Sequence, residues 1–368
     1  MSKVKRQHYV PQFYLKQWHN EKSEEQIYVY NKELRKSFSS NIKGVASSNY
    51  YYDFPELDEK QKEELLKNIE SDTSINEIEK ASLLEFYTKQ EIEKSLSNIE
   101  TINSKIILKV ITKLQDIKAL PLTYFKKYEF LSFEDILELS FFIGLQYCRT
   151  EEMRILNEQL TKIFVKNIAD TILKNPDKLK NDSDLINSIG EDTVTSIIEN
   201  VNNGILTPES YDISIDENYT KINHLHSMFE QTERISDILV HYKWMVCINN
   251  TEIPFFTTDN PVLKKANLNH PFYSNGFASK GIEIFYPISP KYAIIIMEPS
   301  YYKEVAPDLF DYTVWELKKE NVIHYNDLLT QNATTQIYSN VNNFDWVEKR
   351  IKDTPEIANK NRKRIISN

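Results

Sequence analysis

Histidine, carboxylate, guanidinium and amide side chains gather in three short stretches of this chain. The first is Arg6-Gln7-His8-Tyr9-Val10-Pro11-Gln12-Phe13-Tyr14-Leu15-Lys16-Gln17-Trp18, too apolar for a disordered leader and too polar for a plain core strand. It is expected to fold against later segments and to present His8 and Gln12 there. The second is Gln146-Tyr147-Cys148-Arg149-Thr150-Glu151-Glu152-Met153-Arg154, where Gln146, Arg149 and Thr150 stand at i, i+3 and i+4 of a helix and Arg154 lies four beyond Thr150. Two guanidinium forks this close could clamp a carboxylate or a phosphate. The third is Phe255-Phe256-Thr257-Thr258-Asp259-Asn260-Pro261-Val262, a strand that ends in hydroxyls, an acid and an amide fixed by a proline. Asp259 reads there as a carboxylate aimed into a pocket, or as an Asx turn bonded to its own backbone.

Together these residue types suit acid-base chemistry on an anionic group. His8 would be the general acid or base and Asp259 its orienting partner, the two catalytic candidates. Arg149 and Arg154 would hold phosphoryl oxygens, and Gln12, Gln146 and Asn260 would place the substrate or a water. Metal-ligand spacing is missing: His224 and His226 are two apart on a helix and point to different faces, while His19, His241, His270 and His324 carry no spacing signal. A divalent cation at Asp259, shared with Glu100 and otherwise held by water, stays open, but no cofactor is expected.

The elements that must position these groups follow from periodicity. Gln26-Ile27-Tyr28-Val29-Tyr30 alternates as a strand, and residues 47–54 supply a second aromatic strand. From Pro55 to about Ile117 the composition is helical. Within it Ile92, Leu96, Ile99, Asn103, Ile106 and Val110 recur as the stripe of a long amphipathic helix, and Glu93 and Glu100 fall off or beside that stripe as solvated carboxylates. After the break at Leu120-Pro121-Leu122, Ser132-Phe133-Glu134-Asp135 has the spacing of a capped helix start, and the helix is expected to run past Arg154. Helices continue to about Asn203 and again over 218–241. Then Lys243 to Ile248 reads as a strand with 253–257 as its hairpin partner, followed by a second hairpin of 282–287 with 292–297. A helix is expected over 316–335 and an edge strand over 335–339.

The order of segments predicts an α+β fold, an antiparallel sheet built from both chain ends with a long helical block inserted between. A single domain is expected over residues 1–345, made of an N-terminal β region (1–54), the helical block (55–241) and C-terminal hairpins with a helix (242–340). A basic, partly mobile tail follows over 346–368.

Composition sets the outer limits. The 368 residues are 40% hydrophobic and 27% charged, the make-up of an ordinary globular protein with ample core. Cys148 and Cys247 are the only cysteines; they have no paired spacing and fit the cytoplasm. No apolar run approaches the roughly 18 residues of a membrane span. A net charge of −9 disfavours a broad nucleic-acid surface, though a local basic pocket remains compatible with it. Six glycines are few for a glycine-dependent nucleotide fold.

His8-Tyr9-Val10-Pro11-Gln12-Phe13-Tyr14-Leu15, Gln146 with Arg149-Thr150 and Arg154, and Thr258-Asp259-Asn260-Pro261 with Pro287-Ile288-Ser289-Pro290 resemble the bacterial proteins grouped as domain of unknown function 4238. Asn326 looks like that family's late helical asparagine, and the resemblance adds it to the substrate-binding candidates. The resemblance implies one folded unit and supports this choice of site, but names no reaction. Three readings therefore stand: a hydrolase or nuclease-like enzyme acting on a phosphate-bearing substrate, in a setting such as cellular defence; a non-enzymatic module recognising an anionic ligand or partner; and a buried structural network in which Arg149 pairs with Asp259. The partner expected is a phosphate-bearing or other anionic small ligand, or a nucleic-acid end.

Overall fold

The computed structural model describes residues 5–53, 92–117, 131–268, 275–306 and 313–364, with isolated positions between 63 and 80. Most of the helical stretch expected over 55–91, the break at Leu120-Pro121-Leu122, His270 and the last four residues lie outside them. In chain order the elements are β1 (Arg6–His8), α1 (Gln12–Leu15), β2 (Gln26–Asn31), β3 (Lys36–Asn41), β4 (Ser47–Asn49), α2 (Ile92–Ile117), α3 (Phe133–Cys148), α4 (Glu151–Leu173), α5 (Ser183–Ile189), α6 (Glu191–Asn202) and α7 (Glu217–Val240). They continue with β5 (Lys243–Asn249), β6 (Thr257–Thr258), β7 (Leu263–Ala266), β8 (Ile282–Pro287), β9 (Tyr292–Met297), α8 (Pro299–Val305), β10 (Thr313–Leu317), α9 (Lys319–Asn332), β11 (Gln336–Ser339) and α10 (Asp345–Asp353). No helix among the described residues is long and apolar enough to cross a membrane.

The chain divides into two compact units, Met1–Met153 with His224–Arg362, and Arg154–Asn223 with Lys363–Asn368. The single domain drawn over 1–345 from the sequence therefore needs correction. In the second unit Leu179, Val194 and Ile198 form a small apolar cluster of their own, with Leu185, Ile186 and Ile197 packed against it.

The first unit is α+β and holds the sheets. β2 and β3 from the start of the chain join β11 and β6 from its end in one antiparallel sheet, ordered β3-β2-β11-β6. β11 is interior, not the expected edge, because β6 pairs along its second side. A five-stranded sheet, ordered β10-β5-β9-β8-β7, comes from the later part of the chain alone, and its β10–β5 pair is parallel. The β8–β9 hairpin is as expected, but β5 pairs with β9 and β10 rather than with 253–257. Phe255 N–H turns instead to the Pro290 carbonyl. Every residue of β8 and β9 is buried, as in a sheet covered on both faces.

The pleat of β8 sends successive side chains to opposite faces. Phe285 stacks on Tyr325 of α9 with ring centroids 4.0 Å apart, in a core that includes Met245, Leu263, Ile295 and Leu329. Tyr286 goes the other way, against Tyr14 of α1 and Phe142 of α3. The N-terminal peptide is anchored on the same side, where Trp18 Nε1 donates to the Phe255 carbonyl at 2.8 Å.

α3 begins where the sequence placed it. Ser132 Oγ accepts from Asp135 N–H, and the Asp135 carboxylate accepts from Ser132 N–H at 2.7 Å and from Lys109 of α2 at 2.5 Å. The helix stops at Cys148, short of the expected passage beyond Arg154, and Arg149 is its cap. Gly144 permits its close packing on α7, since a Cβ there would come within 3.1 Å of the Thr232 carbonyl oxygen. The C-terminal part is also firmer than expected: Val347 and Ile351 of α10, with Ile357 and Ala358, are buried against Tyr30, Phe256 and Phe344. The tail assigned from residue 346 thus belongs in large part to the core.

Replacing the cap of α3, Ser132→Ala, should lower the unfolding free energy by about 1 kcal/mol, read as a shifted urea midpoint by circular dichroism. An unchanged midpoint would mean the cap is not what starts this helix.

Candidate functional site

Three elements meet around one buried guanidinium. β1 pairs with β4, and the Gln7 side chain locks the following turn by accepting from Tyr52 N–H at 2.6 Å and donating to Asp53 Oδ1 at 2.7 Å. Tyr52 Oη in turn donates to the His8 carbonyl. The next carbonyl, of Tyr9, accepts from Gln146 Nε2 at 3.0 Å, so the opening peptide is tied to the end of α3. Gln146 Oε1 then accepts from Arg149 Nε at 3.1 Å and Nη2 at 2.9 Å. Arg149 Nη1 completes the chain with an ion pair to Glu100 Oε1 of α2 at 2.9 Å. The Arg149 side chain is fully buried, and that of Glu100 retains 26% exposure.

Glu93 lies seven residues before Glu100 on α2, two helical turns back on the same face. Burial, with the Glu100 charge adding to it, pushes the Glu93 carboxyl up to about 7, against the opposing pull of Arg149. His8 shifts the other way: burial lowers its pKa below 6.5, with the Arg6 and Arg149 charges contributing, although the Ile42 and Lys43 carbonyls resist. Its Nδ1 faces Gln12 Nε2 at 3.4 Å. His8 Nε2, Glu93 Oε2 and Tyr286 Oη are all buried and make no well-formed hydrogen bond, although the Ile42 and Lys43 backbone lies close to His8 and the Tyr14 hydroxyl close to Tyr286, and all three groups lie within the influence of the Arg149 charge. Unspent polar atoms are rare in protein interiors, where most find a partner. Three around one cation make this the place to look for a ligand.

The third predicted stretch joins the same neighbourhood through Thr150 Oγ1, 3.4 Å from Asn260 Oδ1, but its carboxylate is used differently. Asp259 is fully buried, and its two oxygens accept from Thr334 N–H, Thr335 N–H, Thr335 Oγ1 and Gln336 N–H at 2.7–3.0 Å. Burial raises its pKa against those backbone donors and the Lys32 charge. Neither oxygen is aimed at His8, and Arg149 pairs with Glu100 instead of Asp259. The divalent cation suggested for Asp259 with Glu100 finds the two carboxylates committed to different partners. No group of three or more His, Cys, Asp or Glu among the described residues is placed to hold a metal ion.

The other candidates divide in the same way. Asn260 Nδ2 donates to the Asn332 carbonyl, and Asn332 Nδ2 returns a bond to the Asn260 carbonyl. Asn326 accepts from Phe256 N–H and donates to the Pro254 carbonyl, replacing a strand partner for that segment. Arg154 falls in the second unit. Glu93 and Glu100, read from the sequence as solvated carboxylates with Glu100 also a possible cation ligand, belong to this centre instead, and Tyr286 was not singled out. The first two are one heptad apart at the edge of an apolar stripe, which is the signal that could have marked them.

A family model described as a protein of unknown function (DUF4238) matches residues 6–343. No curated protein and no solved structure matches the chain significantly.

Substitution of Asp259 by Ala leaves three buried backbone N–H groups without an acceptor and should cost at least about 3 kcal/mol, read from chemical denaturation. A loss below about 1 kcal/mol would contradict a structural role for this carboxylate.

Proposed function

Since this chain belongs to the DUF4238 family, whose description states no activity, we propose from its own side chains that it is a hydrolase of a phosphate-bearing substrate, nuclease-like in its chemistry. The observation that carries the reading is Glu93, a carboxyl raised to about 7 with one oxygen unspent, within the influence of the buried Arg149, whose charge also acts on His8, a histidine shifted the opposite way. A free carboxyl titrates near 4 and is ionised at neutral pH. Here the environment reverses the usual roles, keeping Glu93 able to give a proton and His8 able to take one.

In this scheme His8 draws the proton from the attacking water or hydroxyl. Glu93 delivers its proton to the departing oxygen. Arg149 offsets the negative charge that builds on the phosphoryl group between them. Glu100 holds the guanidinium in place and raises the proton affinity of Glu93. Small phosphate esters and the ends of nucleic acids fit so local a centre better than a long duplex does, given the overall negative charge. A cytoplasmic location suits Cys148 and Cys247, both buried and unbridged.

One observation favours the alternative, a module that binds an anion without turning it over. Arg149 already spends three N–H donors on Gln146 and Glu100 and is fully buried, as a fixed joint would be. Turnover separates the two.

The full chain should hydrolyse at least one member of a panel of RNA, DNA, nucleotides and aryl phosphodiesters. Its rate should rise with pH as His8 loses its proton below 6.5 and fall as Glu93 ionises near 7. Glu93→Gln should abolish the alkaline limb and cut kcat by about 100-fold, and His8→Ala should abolish the acid limb. Hydrolysis at wild-type rates by both folded variants would defeat these assignments, and ligand binding with no turnover would select the module.

A further inference from the structure

Two neighbouring lysines on β7 meet different surroundings. Successive residues of a strand point to opposite faces, and Lys265 finds a counter-charge on its side, the Glu283 carboxylate at 3.3 Å. Lys264, paired across the ladder with Ile284 of β8, turns to the other side. There its Nζ lies 4.9 Å from the centre of the Tyr147 ring, in the last turn of α3, and 5.2 Å from that of Phe277. The two rings meet edge to face with centres 4.9 Å apart, so the amine and the ring centres form a nearly equilateral triangle. Tyr242 Oη steadies it by donating to the Phe277 carbonyl at 2.6 Å.

An ammonium group carries three N–H donors. At Lys264 one is met, by the Asn275 carbonyl at 3.0 Å, and no ion pair joins the group to a carboxylate among the described residues. Ring faces attract a cation, but they replace neither the water nor the counter-charge it leaves behind. Burial pulls the amine down to about 8, against an upward pull from Cys148, whose own thiol is pushed up to about 12 by burial. An exposed lysine near 10.4 is free amine in only about one molecule in a thousand at pH 7.4. At Lys264 the same arithmetic gives on the order of one in five. The residue is partly and not wholly buried, which leaves it open to small solutes.

We propose that Lys264 is a covalent capture site for flat, apolar aldehydes, which Tyr147 and Phe277 hold as the amine attacks. The nitrogen lone pair adds to the carbonyl carbon, and the C=O π pair moves to oxygen. A proton passes from nitrogen to that oxygen, water departs, and the C=N bond of an imine remains. The step consumes no oxidant or reductant, and water reverses it. A lysine desolvated beside apolar groups is activated for this chemistry. The rings choose the electrophile, since an aromatic aldehyde laid against them buries apolar surface that a hydrophilic one does not have. The proposal is independent of the phosphate reading and stands or falls without it.

Benzaldehyde and cyanoborohydride, applied to the full chain near neutral pH, decide the matter. Hydride from the reagent fixes each imine as a benzylamine, and peptide mass spectrometry reads which lysines carry it. Lys264 should react about tenfold faster than any other lysine, Lys265 included. That lead should shrink above about pH 10, where ordinary lysines also become free amines, and it should vanish in denaturing urea. Acetaldehyde, which has no ring to place, should show a weaker preference. Lys264 reacting no faster than Lys265, a preference that survives urea, or an equal preference for acetaldehyde would each overturn the proposal. Lys264→Met should melt no lower than wild type, because the amine holds a single hydrogen bond and no ion pair. A lower melting point together with slow labelling of Lys264 would mark a structural ammonium ion and overturn the proposal as well.

Discussion

A guanidinium taken wholly out of water must be given back both a counter-charge and acceptors for its protons, and in this fold that demand falls on Arg149. Glu100 supplies the charge, from a helix that the chain enters some fifty residues earlier. Gln146 supplies an acceptor from one turn back and uses its other end to hold Tyr9. The docking of α2, of α3 and of the opening peptide is therefore one problem with one solution. An apolar side chain at 149 could leave a core of equal or greater stability.

The two buried polar centres differ. Around Asp259 both carboxylate oxygens accept hydrogen bonds, four in all, and the neighbouring asparagines close reciprocal bonds with backbone. Around Arg149 three buried polar atoms, His8 Nε2, Glu93 Oε2 and Tyr286 Oη, make no well-formed hydrogen bond. A fold built only for stability would favour the first pattern in both places. The same amino acids that looked equivalent in the sequence thus separate into a closed network and a less fully bonded one once their partners are counted.

The sequence showed some of this and hid the rest for physical reasons. Local signals carried well: the Ser132-Asp135 cap, the β8–β9 hairpin and the stripe on α2 each depend on residues within a few positions of one another. Gln146 and Arg149 were visible because helical spacing alone puts them side by side. Glu93 and Glu100 were hidden because a carboxylate at the margin of an apolar stripe looks the same whether it meets water or a distant arginine. Asp259 misled because a strand-end acid reads alike when aimed at a ligand or at a later turn. The partners of β5 and β11 come from strands far along the chain, and no local pattern encodes such pairings. The separation of 154–223 was likewise hidden, since its helices have the same texture as those around them.

The placement of β11 bears on how the molecule is made. Its inner neighbour β2 meets it with Asn31 opposite Gln336, so the sheet joins segments roughly three hundred residues apart in the order of synthesis. At a ribosomal rate of about 5–20 residues per second, the β2–β3 hairpin waits on the order of tens of seconds with one backbone edge open. An edge in that state is a template for any strand that reaches it first. The nascent chain is thus exposed to mispairing at this edge until β11 has been made.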